Sequence, residues 1–251
     1  MRFDIGAATD IGCVRETNED SYRLAPDLNL FVLSDGIGGQ AHGEVASELA
    51  VDTVISHCRE SLASRSAPVA TPRRPDLSAT ASRLANALSA ANLAIFKAAA
   101  NDSVLRGMGA TIVAAWIQSS RLILAHVGDS RIYLLRSGSF EQLTRDHSLV
   151  AEQVRMGLLT DEEAEGSKLQ TILTRALGVE EMVDVEVAEQ DLVAGDTILM
   201  CSDGLSRLVY GKIIAQTLQT SRNAQVSADR LVALARQAGG TDNITVIVLR
   251  A

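Results

Sequence analysis

TIVAAWIQSSRLILAHVGDSRIYLLR, residues 111–136, holds three runs of β-branched and aliphatic residues separated by gaps of turn length. Thr111 to Ile117, Arg121 to Val127 and Ile132 to Arg136 each read as a strand. The connections around Ser119-Ser120 and Gly128-Asp129-Ser130 are too short for helical crossovers, so hairpins and antiparallel pairing are expected. That disfavours a doubly wound parallel sheet.

Outward from this stretch, further strands are predicted at Phe3 to Ala8, Leu28 to Leu33, Val183 to Val187, Thr197 to Cys201 and Ile244 to Leu249. Helical periodicity covers Gly43 to Leu62, Asp76 to Ala100, Ser148 to Met156, Lys212 to Leu218 and Gln225 to Gln237. Asp76, just after Pro75, is the expected N-cap of the second helix. Gly157 is placed to stop the third, and Thr160 to Glu163 fits a capping box for a short helix after it. Blocks of strands with helix pairs between them predict sheets stacked face to face with helices outside, an α+β fold. Pro68, Pro72 and Pro75 fall in one Ser- and Arg-containing stretch, read as a mobile surface insertion over about 64–76. Motif residues lie on both sides of it and are chemically incomplete on either, so residues 1–251 are expected to form a single domain.

The 251 residues are 47% hydrophobic and 22% charged, which excludes a disordered chain. Lys and Arg number 23 against 31 Asp and Glu, a net charge of −8, and the longest basic run is Arg73-Arg74; no nucleic-acid partner is expected. No segment approaches the roughly 18 consecutive apolar residues of a membrane span. Asp4 and Asp10 interrupt the stretch where a secretory signal would need apolar residues, so a cytoplasmic protein is expected. Cys13, Cys58 and Cys201 form no C-x-x-C pair and read as small core residues in a reducing compartment.

The chemistry sits where apolar runs end in aspartate. LFVLSDG ends in Asp35-Gly36 and TILMCSDG in Asp203-Gly204; Asp129 follows LAHVG, and Asp242 precedes the last strand in GGTDNITVIV. With Glu19 and Asp20 of RETNEDS there are six carboxylates at element ends. Each Asp-Gly alone would be an ordinary turn, with Asp capping its own backbone and Gly at positive φ. As a set, like charges gathered at strand ends call for a neutralising cation. Oxygen-rich ligands suit Mg²⁺ or Mn²⁺, whereas zinc would want His or Cys at spacings this chain lacks. Two such ions, about 3.5 to 4 Å apart, can share a carboxylate and make water a nucleophile at neutral pH. Arg15 has the planar fork that grips phosphate oxygens, and metals with an Arg point to phosphoester hydrolysis. His126 and His147 read as structural residues.

In order along the chain, RETNEDS (15–21), SDGIGG (34–39), GMGAT (107–111), HVGDSR (126–131), LTRDHS (143–148), ILTRALG (172–178), LMCSDGL (199–205) and GGTDNITVIVL (239–249) resemble the motifs of the metal-dependent protein phosphatases of type 2C, the PPM family, and of its bacterial Ser/Thr branch. The resemblance implies a four-layer α-β-β-α sandwich, two stacked antiparallel sheets flanked by helix pairs, with a binuclear Mn²⁺ or Mg²⁺ centre at one end. It implies a protein phosphoserine and phosphothreonine phosphatase acting without a phosphoenzyme. By motif position Asp35 would bridge both ions, the Gly36 carbonyl would bind one, and Asp203 and Asp242 would hold the other. Glu19 and Asp20 would act through waters, Arg15 would bind phosphate, and Asp129 would serve a third, weaker metal site. Ile37 stands where animal members carry a proposed general-acid His, leaving the proton donor unassigned, with His42 the nearest His in sequence. Residues of about 148–170 occupy the place of a substrate flap. Phosphorylated proteins, Ser/Thr kinases and the kinases' substrates are the implied partners, and a monomer is expected.

Two other readings are open to the same residues. NLFVLSDGIGGQAHGEVASELAV has the strand, Gly-rich turn and helix of a dinucleotide-binding unit, but its glycine spacing is wrong and the later aspartates would be left unexplained. A catalytically weak phosphoprotein-binding scaffold of the same fold is the alternative function, and it should have lost a metal aspartate or the Arg. Arg15, Asp35, Asp203 and Asp242 are all present.

Overall fold

The computed structural model describes residues 2–37, 42–63, 77–165, 167 and 169–251. In chain order the elements are β1 (Asp4–Asp10), β2 (Asp20–Ala25), β3 (Leu30–Ile37), α1 (Gly43–Ala63), α2 (Ala79–Asn101), β4 (Gly109–Ala110), β5 (Ile112–Gln118), β6 (Arg121–Val127), β7 (Arg131–Arg136), β8 (Ser139–Gln142), α3 (Leu149–Arg155), α4 (Asp161–Glu165), β9 (Glu186–Asp191), β10 (Thr197–Cys201), α5 (Asp203–Ser206), α6 (Gly211–Thr220), α7 (Ala224–Gln237) and β11 (Ile244–Arg250).

One sheet runs β1-β11-β10-β7-β8 and the other β2-β3-β5-β6-β9, with β4 added beside β3. All their pairings are antiparallel. The central strands β5, β10 and β11 are apolar almost without a break because both their faces are covered. Along β5, Ile112, Ala114 and Trp116 pack under α1 and α2, while Val113, Ala115 and Ile117 face the other sheet. Along β11, Val246 and Val248 meet α6 and α7, while Ile247 and Leu249 point into the space between the sheets. With a side-chain period of two, one strand feeds two cores, and three stacked cores make four layers. The α-β-β-α sandwich implied by the motif resemblance is the observed architecture.

Four local expectations need correction. The 121–136 stretch is no hairpin: β6 pairs with β5 and β9, β7 pairs with β10 and β8, and Gly128 to Ser130 carry the chain from one sheet to the other. Gly128 makes the crossing at φ 104, where an added Cβ would lie 2.6 Å from the Thr111 side chain. The first helical turn of α2 is capped by Ser78, whose Oγ accepts from the Ala81 N–H at 3.1 Å. Asp76 and the insertion expected over 64–76 lie outside the described residues. The strand expected at Val183 to Val187 starts at Glu186 and runs to Asp191, an edge strand whose Glu189 and Asp191 pair with Arg121. Cys58 and Cys201 are buried as expected, but Cys13 is exposed in the loop after β1.

The 118–121 connection is a hairpin, with Ser119 at φ 57. The capping box at Thr160 closes in both directions: the Thr160 N–H donates to Glu163 at 2.8 Å, and the Glu163 N–H donates to Thr160 Oγ1 at 3.2 Å. No helix among the described residues is long and apolar enough to cross a membrane.

Candidate functional site

The acidic element ends meet at one edge of the two sheets. Asp20 opens β2 directly opposite Asp35 near the end of β3. Asp203 follows β10 through Ser202, Asp242 stands two residues before β11, and Asp129 lies in the crossing between the sheets. Glu19, Asp20, Asp129 and Asp203 are all buried.

A set of polar side chains holds this acidic edge together. Thr111 clamps the Ser-Asp-Gly turn of β3: its N–H donates to the Asp35 carbonyl at 2.8 Å, and its Oγ1 accepts from the Asp35 N–H at 3.2 Å. Ser34 Oγ donates to the Thr111 carbonyl at 2.6 Å, and Thr111 Oγ1 lies 2.7 Å from Ser130 Oγ beside Asp129. In the second Ser-Asp-Gly, Ser202 Oγ donates to Asp20 Oδ2 at 2.8 Å and accepts from the Thr245 N–H, joining the two sheets. Asn243 pins the loop ahead of β2: Oδ1 accepts from the Glu19 N–H, and Nδ2 donates to the carbonyls of Ile11 and Thr17. The glycines after the two aspartates answer to crowding rather than to positive φ. A Cβ on Gly36 would lie 2.2 Å from the Gly43 carbonyl oxygen, and one on Gly204 would lie 2.0 Å from that of Asn243.

Packing carboxylates this closely is electrostatically costly. Burial and the charges of Asp20, Asp203, Asp129 and Asp242 raise the Asp35 carboxyl well above its ordinary value. Burial pushes Asp20 up to about 6, with hydrogen bonds from Thr245 and Ser202 opposing. It lifts Asp203 to about 6 against the attraction of Arg207, and Asp129, which also feels Asp203, to about 7. Burial raises Glu19 as well. Asp20 Oδ1 and Asp203 Oδ1 are buried with no hydrogen-bond partner among the described residues. Orphaned buried carboxylate oxygens, all-oxygen donors and mutual repulsion fit hard divalent ions.

Arg15 sits at the rim, about half exposed, with Nη2 2.8 Å from Asp242 Oδ2. His42, at φ 58, pairs with Glu44 at 2.9 Å. Sequence reasoning had no role for Arg207, whose Nη2 lies 2.8 Å from both Asp129 Oδ2 and Asp203 Oδ2. It also passed over Thr111, Ser202 and Asn243 as individuals, although each stands inside a motif, and the Ser before each Asp was the available signal. A cleft of about 290 Å³ opens beside Ile37, between the Gly107–Gly109 turn and residues 171–179.

His126, His147 and Glu186 place potential ligand atoms within 4.8 Å of one another, but their hydrogen bonds give them another task. Gly128 N–H donates to His147 Nδ1, so the His147 proton is on Nε2, facing Glu186 at 3.3 Å. The His126 ring stacks on His147 with centroids 4.7 Å apart and bonds the Arg145 carbonyl through Nε2. Both histidines are buried and bind the inter-sheet crossing to the segment before α3, in line with their structural reading.

A family model described as protein phosphatase 2C matches residues 15–244. The chain belongs to the protein phosphatase 2C family. This family member is 36% identical over 244 residues to the serine/threonine phosphatase stp of Listeria monocytogenes, covering 96% of this chain and 93% of that one. The crystal structure of the Mycobacterium tuberculosis serine/threonine phosphatase PstP/Ppp superposes with a TM-score of 0.85 at 37% identity, over 99% of this chain and 98% of that one. A PstP catalytic domain in complex with two manganese ions gives 0.82 at 36% identity, over 99% and 97%.

Proposed function

We propose that this protein phosphatase 2C chain is a single catalytic domain that hydrolyses phosphoserine and phosphothreonine in proteins, using two Mn²⁺ or Mg²⁺ ions. The observation that carries the reading is the gathering of Asp20, Asp35, Asp129, Asp203 and Asp242 at one sheet edge, with buried oxygens of Asp20 and Asp203 left unpartnered. Asp35, the Gly36 carbonyl, Asp203 and Asp242 would hold the ions, with Glu19 and Asp20 acting through waters. When bound, the ions supply a water nucleophile at neutral pH and neutralise the phosphate.

Arg15 binds the phosphate. Its guanidinium is half exposed and tethered to Asp242, so it stands over the acidic edge with donors free for equatorial oxygens. Asn243 fixes that loop by holding the backbone on both sides of Arg15, at Ile11, Thr17 and Glu19. Hydrolysis is direct, by water and with no phosphoenzyme; the buried Cys201 thiol, pushed by burial to about 12, is not a thiolate at neutral pH and offers no cysteine nucleophile. Residues flanking the phosphorylated side chain use the cleft beside Ile37, lined by Thr171, Leu173 and Arg175 among others. Partners of this reading are phosphorylated proteins, among them Ser/Thr kinases and their substrates, met by a monomer in the cytoplasm.

The test is phosphate release from a phosphothreonine peptide with Mn²⁺, with Mg²⁺ and with chelator, beside Asp35→Asn. Activity that requires metal and disappears in the variant supports the proposal. A folded, metal-bound protein that releases no phosphate from phosphoserine or phosphothreonine peptides overturns it.

A further inference from the structure

Arg207 stands one helical turn after Asp203, where its N–H closes α5 on the Asp203 carbonyl at 2.9 Å. That i, i+4 spacing returns the side chain over the acidic edge. A single nitrogen, Nη2, lies 2.8 Å from Asp203 Oδ2 and 2.8 Å from Asp129 Oδ2, and donates to the Gln170 carbonyl at 3.1 Å. Burial works against the guanidinium charge, and the attraction of Asp203 and Asp129 outweighs it. The pairing is selective by atom. Asp203 gives Oδ2 to Arg207 and keeps Oδ1 buried with no hydrogen-bond partner among the described residues.

We propose that Arg207 is the resident cation of the Asp129 and Asp203 pair: it takes the place a further divalent ion at Asp129 would need, and it orients Asp203 so that Oδ1 serves the two-ion centre. The inference rests on the metal-centre reading of Asp35, Asp203 and Asp242. An ion bound to Asp129 Oδ2 would share that oxygen with Nη2, a like charge already held on it at 2.8 Å. Admitting it would mean breaking both ion pairs and releasing the Gln170 carbonyl. Arg207 thereby also ties Gln170 to the acidic edge through a side chain that remains charged at all working pH values.

The experiment counts Mn²⁺ ions per chain, by calorimetric titration and by the electron paramagnetic resonance signal of free Mn²⁺. It compares the full chain with Arg207→Gln, Arg207→Lys, Asp129→Asn and the Arg207→Gln, Asp129→Asn double variant, each checked for folding by circular dichroism. The expected result is two ions in the wild type, in Arg207→Lys and in Asp129→Asn. Arg207→Gln gains a third, weaker ion that the double variant loses. Three ions in the wild type falling to two in Asp129→Asn overturns the proposal, as does an unchanged count in a folded Arg207→Gln protein. If Arg207→Gln does not fold, the Asp129→Asn comparison still decides between two ions and three. A folded wild type that binds no Mn²⁺ overturns the metal centre itself, a result distinguishable from either of those.

Discussion

Removing the metal should destabilise this protein strongly at pH 7.5 and little at pH 5. In the metal-free fold Asp203 and Asp20 sit at about 6 and Asp129 at about 7, against 3.8 for a free Asp. A carboxyl whose folded pKa is raised contributes stability that is fully present below the unfolded value and lost as pH rises through the folded one. Between pH 5 and 7.5 that loss is about 1.4 kcal/mol for a carboxyl at 6 and nearly double, about 2.5 kcal/mol, for one at 7. The carboxyls repel one another and titrate together, so these losses do not simply add, and roughly 3 kcal/mol is the working scale. Bound cations remove the repulsion, so their stabilising effect should grow by that amount across the window. For a chain of this size it corresponds to roughly 6–12 °C in Tm. The absolute metal-free curve is not the readout. Burial depresses His147 to about 4 and lowers His126, and stability from buried neutral histidines rises with pH over the same range. The difference between saturating Mn²⁺ and chelator cancels the histidines, which lie outside the acidic edge. Thermal unfolding at pH 5, 6 and 7.5 in both conditions is the assay. An Mn²⁺ shift of equal size at pH 5 and 7.5 would refute the electrostatic account.

Asp35→Asn should abolish turnover while raising the Tm of the metal-free protein at pH 7.5, because it puts a neutral amide where burial and the charges of Asp20, Asp203, Asp129 and Asp242 disfavour a carboxylate; a lower metal-free Tm would contradict the reading. Arg15→Ala should raise KM for a phosphopeptide by about 10- to 100-fold, the worth of one or two charge-assisted hydrogen bonds, and an unchanged KM in steady-state kinetics removes Arg15 from the phosphate. Gly204→Ala, whose Cβ would meet the Asn243 carbonyl oxygen at 2.0 Å, should cost about 1–3 kcal/mol or more in urea unfolding and weaken Mn²⁺ binding by displacing Asp203 from Asp242. Trp116→Ala should cost about 3–5 kcal/mol in the same assay, since Trp116 is fully buried under the helices and its Nε1 donates to the Leu28 carbonyl at 3.0 Å.

Much of the fold was legible because its causes are local. Uninterrupted apolar runs such as Ile112 to Ile117 and Ile244 to Leu249 are strands with two buried faces, and their short connections point to antiparallel neighbours. Edge strands were less legible. β2 reads DSYRLA and β9 reads EVAEQD, polar on faces that solvent or ion pairs cover, and neither carries the pattern of a core strand. The candidate site was legible as a repeated Ser-Asp-Gly, whereas the crowding that requires its glycines was not: Gly36 faces the carbonyl of Gly43 at the start of α1, and Gly204 faces that of Asn243, ahead of β11.

By itself, then, the sequence determined the core strands and the long helices, which acidic residues stand at strand ends, and which family the eight motifs belong to, since each depends on neighbours in sequence. Only the tertiary structure decided how those ends meet. Gly128-Asp129-Ser130 has turn chemistry suited to a hairpin, and it became a crossing between sheets because β6 and β7 each complete a different core. Ser202 reached Asp20 across 182 positions, and Arg207 reached Asp129 across 78. A long cation between two buried carboxylates is a fact of three-dimensional proximity and charge balance, which no local pattern encodes.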